Sequence, residues 1–182
     1  MNDINTRPIE SKIELNIDIA NGGLVLLQGF ISPYFERLGL LDENRNFIQP
    51  DGRQKAVFYL QYLATGQSEA EEHQLSLNKL LAGIPLHQPL IAGITMTKTE
   101  QELADDLVQA MINYWPTCGA NSLDGFRGNW LVRPGLLTES EQSWELTVEK
   151  RPYDLLLDKA PFSYSLVKQP WMDKALHVNW SA

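Results

Sequence analysis

The hydrophobic period changes twice along this chain, which leaves room for neither an all-helical nor an all-strand fold. Over residues 12–20, Ile13, Leu15, Ile17 and Ile19 alternate with Glu14, Asn16 and Asp18, the period of a strand with one buried face. Asn21-Gly22-Gly23 ends that run with a turn signal. From Leu24 the apolar spacing becomes three and four, through Leu27, Ile31, Tyr34, Phe35 and Leu38, so one stripe of a helix faces a core. Ser32-Pro33 inside that stripe predicts a break, or a fresh start with Pro33 in the first turn.

A loop is expected over residues 42–51. A second helix follows over 53–65, with Ala56, Tyr59, Leu60 and Leu63 inward and Gly66 as its C-cap. Residues 75–81 carry a third, shorter helix, and Pro85 and Pro89 mark an extended connection. Thr97 or Thr99 caps a fourth helix running to about Tyr114, with acids in its first turn. Ser122-Leu123-Asp124 opens a fifth, which Pro134-Gly135 stops. Beyond residue 140 the period of two returns. Trp144, Leu146 and Val148 alternate with acids and threonine, and strands are expected at 153–157, at 163–167 and through Leu176, Val178 and Trp180. The expected fold is α+β: a central cluster of four or five helices with an antiparallel sheet formed by the N-terminal strand and the C-terminal strands. With 182 residues, residues 1–182 make a single domain, 1–11 being a flexible tail.

Charge narrows the partners. With 23 acidic against 15 basic residues the formal net charge is −8, which disfavours nucleic acid and anionic membranes and favours protein partners. No segment approaches the roughly 18 apolar residues that span a bilayer, so no membrane insertion is expected. The first residues lack the apolar run of a secretory signal, which places synthesis and assembly in the cytoplasm. Cys118 is the only cysteine, excludes an internal disulfide, and is read as a small buried or half-buried apolar residue.

Compact catalytic motifs are missing: the sequence has no phosphate-binding glycine loop, no His-Glu-x-x-His, no Cys-x-x-Cys and no Gly-x-Ser-x-Gly. His73, His87 and His177 share no metal-ligand spacing. Asp105-Asp106 and Glu69, Glu71 and Glu72 read as solvated helix faces and first turns. No catalytic, cofactor-binding or metal residue is therefore assigned, and no cofactor is expected. Five tryptophans remain, of which Trp115, Trp130 and Trp144 are assigned to the core. Trp171, in the irregular link Lys168-Gln169-Pro170-Trp171-Met172, is read as either a buried residue or an exposed anchor for a partner.

Four blocks, in this order, resemble the shared C-terminal region of the contractile injection system tape measure proteins. They are Asn21-Gly22-Gly23-Leu24 with Phe35-Glu36-Arg37-Leu38-Gly39; Arg53-Gln54-Lys55-Ala56 with Leu77-Asn78-Lys79-Leu80; Trp115-Pro116 through Ser122-Leu123-Asp124-Gly125-Phe126-Arg127 to Arg133-Pro134-Gly135; and Arg151-Pro152-Tyr153-Asp154 with Lys168-Gln169-Pro170-Trp171-Met172. Gln28-Gly29 stand where that family usually has His-Pro, and Pro152 where alanine is commoner. Family members also carry a long variable region ahead of this one, where about 20 residues precede the first block, so an excised domain or a short stand-alone relative is expected. The resemblance implies a non-enzymatic structural or assembly component of a phage-tail-like particle, cytoplasmic during assembly and then within the assembled particle. Its partners would be tube, baseplate or cap proteins, and its oligomeric state is left open. A dissociable assembly chaperone or cap regulator is the alternative. Partner-binding residues are expected at Trp171 and Met172 and along a free strand edge at Leu176, Val178 and Trp180.

Overall fold

The computed structural model describes residues 15–180; the expected tail at 1–11 and the first part of the expected strand, through Glu14, lie outside them. The fold is α+β, with one five-stranded sheet packed against helices. Strand β1 (Asn16–Ile19) leads into a 3-10 turn at Gly22–Leu27, every residue of which is buried. Helix α1 (Gln28–Arg37) runs straight through Pro33 instead of breaking there. Pro33 and Gly29 are both exposed, so the Gly29 carbonyl that loses its helical donor faces solvent. Helix α2 (Gly52–Thr65) ends at Gly66 with φ 76°, as the C-cap signal implies. Helix α3 (Ser76–Ala82) follows, then α4 (Lys98–Tyr114), whose cap is Thr97: its side chain accepts the Glu100 N–H. A single turn, α5 (Leu123–Phe126), continues into a π-helical turn at Arg127–Leu131.

Strands β2 (Gly135–Glu139), β3 (Ser143–Val148), β4 (Leu166–Val167) and β5 (Ala175–Asn179) complete the sheet in the order β1-β2-β3-β5-β4. The N-terminal strand does join the C-terminal ones, but the sheet is mixed where an antiparallel one was expected, because β3 and β5 pair in parallel. The chain leaves β3, passes beyond the place of β5, forms β4 at the sheet's far side and returns to fill the gap. Strand β5 is therefore interior, and among the described residues the free edges are those of β1 and β4.

The strand expected at 153–157 is instead a 3-10 helix, Pro152–Lys159. Pro152 presets φ at its first position, and the Asp154 carboxylate accepts the Arg151 N–H. Asp154 and Leu157 point inward while Leu155 is exposed, a spacing of three that fits a 3-10 helix and not a strand.

Two close approaches fix how the parts meet. The Gly22 N–H donates to the Arg133 carbonyl at 2.8 Å, and a Cβ on Gly23 would sit 1.7 Å from the Trp130 carbonyl oxygen. Only glycine lets the turn after β1 rest on the π-helical turn. Beneath it Trp115 and Trp130 pack with ring centroids 4.6 Å apart, both fully buried, and Trp144 is buried under the sheet. Cys118 is buried beside them, its carbonyl accepting the Trp130 Nε1–H at 2.9 Å.

Candidate docking surface

The side chains singled out as anchors turn inward. Trp171 is only 7% exposed. Its ring lies 5.6 Å from Phe35 and 5.4 Å from Phe47, and its Nε1–H donates to the Leu81 carbonyl at 2.7 Å. Arg53 Nη1 donates to the carbonyls of Gly83 and Trp171, at 2.9 and 3.3 Å, and Lys168 Nζ donates to the Met172 carbonyl. An exposed tryptophan anchor is thus overturned: the apolar slot between α1, the 42–51 loop and the end of α3 takes the indole whole. Met172, Leu176 and Trp180 are buried, and Val178 is half-buried on the inner face of β5. The free edge expected there is occupied on both sides by β3 and β4.

The strongest electrostatic feature is also internal. Arg133 and Asp154 form a two-pronged ion pair at 2.8 Å per contact. Asp154 also accepts the Trp180 Nε1–H at 3.1 Å, and Arg133 Nη2 donates to the Glu149 carbonyl at 2.6 Å. The guanidinium carbon lies 5.0 Å from the Trp180 ring centroid and 5.5 Å from that of Tyr153. Burial by itself would raise the Asp154 carboxyl; hydrogen bonds from Arg133, the Arg151 N–H and Trp180 outweigh it and hold it below the ordinary carboxylate range. The blocks containing Arg133 and Asp154 stand out in the sequence, but nothing in their spacing says that the two meet.

Two further pairs take up charge elsewhere. Arg127 Nη2 reaches Asp105 at 2.9 Å while its Nε–H donates to the Leu63 carbonyl, so Asp105 is a structural partner and not the solvated helix acid expected. Buried Lys79 meets Glu72 at 3.0 Å and the carbonyls of Leu86 and Gln88. Hydrogen bonding from Lys79 and from the Leu90 N–H lowers the Glu72 carboxyl. Desolvation raises the buried phenol of Tyr34 and, with the Glu100 carboxylate, that of Tyr59.

Histidines are not gathered into one place: His73 and His87 line a shallow depression with Glu72, while His177 stands on the outward face of the sheet. Among the described residues no group of three His, Cys, Asp or Glu side chains is placed to hold a metal ion, and no helix is long and apolar enough to cross a membrane. One open groove of about 340 Å³, lined by Leu80, Ile84, Trp144 and Met172, has the Glu139–Lys174 ion pair at its rim.

What remains outward is the second face of the sheet. Strand β3 alternates strictly, with Trp144, Leu146 and Val148 buried and Glu145 and Thr147 exposed. The register carries that alternation across the strands, aligning Asn16, Thr138, Glu145, His177 and Leu166 in one row and Asp18, Leu136, Thr147 and Asn179 in the next.

Compared with known proteins, residues 3–180 match a family model described as contractile injection system tape measure protein. No curated protein and no solved structure matches the chain.

Proposed function

The chain belongs to the contractile injection system tape measure protein family, and on that premise we propose that it is a non-enzymatic docking module which helps to set tube length in a phage-tail-like particle. The observation that carries this reading is the family match across residues 3–180. The physical character of the fold supports it. The longest helix, α4, has 17 residues and so spans only about 25 Å at 1.5 Å per residue. A module of this kind acts as an anchor at one end of a ruler, not as the ruler's length. Its strongest ionic groups are turned inward, where they fix shape, and its outward sheet face is what a neighbouring particle protein would meet. In this reading Trp171, Met172, Leu176, Val178 and Trp180 serve docking indirectly, by holding the sheet in place. The family match gives a dissociable chaperone no support.

Quantitative mass spectrometry of purified particles, with electron microscopy of tube length, tests the proposal. The protein is expected at fixed copy number, and its deletion is expected to abolish particles or broaden the length distribution. Particles that lack the protein yet keep wild-type tube lengths would overturn it.

A further inference from the structure

We infer that the outward face of the sheet is a docking site for a basic, polar protein surface on another particle component; this rests on the structural reading above. Four observations converge on that face. First, the register sets two rows of side chains across it, and every residue in them is exposed except Thr138, which is half-buried, so no element among the described residues covers it. Second, among the described residues the outward strand positions carry two carboxylates, Asp18 and Glu145, and no lysine or arginine. Third, neither carboxylate meets a cation among the described residues, unlike Asp105, Glu72, Glu139 and Asp154. Fourth, two of the large apolar side chains that remain exposed, Leu136 at 38% and Leu166 at 49%, stand on the same face.

The two carboxylates lie two strands apart, on the order of 10 Å at the usual strand spacing, about one Debye length at moderate salt. Their fields overlap, and no lysine or arginine among the described residues of the face cancels them. A second copy of this chain would bring the same sign of charge against itself, so a self-complementary contact is disfavoured. A partner presenting arginine or lysine, with amide and hydroxyl groups to meet Asn16, Thr147 and Asn179, is complementary. Five strands of two to six residues give a face of roughly 300 Å², well under the roughly 800 Å² per partner of a stable binary complex. The contact therefore suits an assembly in which each site is weak and is strengthened by repetition or by a second tether.

The test uses the full chain in cells that produce the particles. Asp18→Lys with Glu145→Lys reverses the face, and Glu43→Lys with Asp106→Lys makes the same change of net charge elsewhere. Copies per particle are counted by quantitative mass spectrometry, and melting curves of the purified chains verify folding. Face reversal is expected to lower incorporation about tenfold, with the control near wild type. Should the reversed chain fold poorly, Asp18→Asn with Glu145→Gln replaces it and is expected to lose several-fold. Wild-type incorporation of the face variants, or equal loss in face and control variants, overturns the inference. So does a wild-type dimer in sedimentation that face reversal dissociates. Wild-type chain absent from particles overturns the structural reading itself, and this inference with it.

Discussion

The carboxylate of Asp154 and the guanidinium of Arg133 are held in two parallel contacts of 2.8 Å, with side chains 1% and 0% exposed. Removing one member leaves the other charged and buried without its partner. Asp154→Asn is expected to cost about 3–5 kcal/mol, measured by urea unfolding. Replacing both with apolar residues of similar volume is expected to cost less than Asp154→Asn alone. A single variant within experimental error of wild type would show that the pair contributes nothing.

Because the Asp154 carboxyl titrates below its ordinary value, near 3.9 in an unfolded chain, the sign of its pH dependence is set. The unfolded chain takes up the proton first, so the contribution is complete above that pH and is lost as pH falls through the lower native value. Circular dichroism should show stability declining in acid below about pH 4. That decline is expected to be shallower in Asp154→Asn than in wild type.

Gly23→Ala places a methyl group 1.7 Å from the Trp130 carbonyl oxygen, and the obstructing atoms are backbone. Nothing there can rotate away, so the cost is expected to reach or exceed the roughly 3 kcal/mol at the upper end for overpacked cores. Gly128→Ala, where a Cβ meets nothing within 4 Å, is the matched control and is expected to remain near wild type.

Trp171→Ala is expected to destabilise by about 3–5 kcal/mol, as a buried aromatic with a bonded indole does. Leu155→Ala, at a side chain 60% exposed, is expected to change stability by less than about 0.5 kcal/mol. Chemical denaturation of both variants checks the contrast. A Trp171→Ala protein as stable as the Leu155→Ala protein would mean that the indole is not a core element.

Periodicity carried most of the helical middle. The stripes in α2 and α4 and the caps at Gly66 and Thr97 are local signals, and local hydrogen bonding realises them. Pro33 misled because the cost of an interior proline depends on what surrounds the freed carbonyl, which the chain's own order does not reveal. Tyr153, Leu155 and Leu157 alternate like a strand, yet an ion pair with Arg133 draws Asp154 inward and selects a 3-10 helix. The parallel pairing of β3 with β5 was likewise out of reach, since direction depends on the path between them. The outward face was half legible. Glu145 and Thr147 are exposed by alternation alone, but placing Asp18 beside them needs the register through β2, a strand hidden behind the stop signal Pro134-Gly135.

Strand β5 slides between two strands made earlier and delivers Trp180 to Asp154. During synthesis, therefore, the sheet keeps a vacant lane until residue 180 has left the ribosome, however well the preceding helices have formed. A product truncated before that point leaves β3 with a bare edge and the ion pair without its tryptophan lid. Such a fragment is expected to be cleared or to aggregate before it reaches any particle, so that closure of the central lane doubles as a check that the chain has been made through β5.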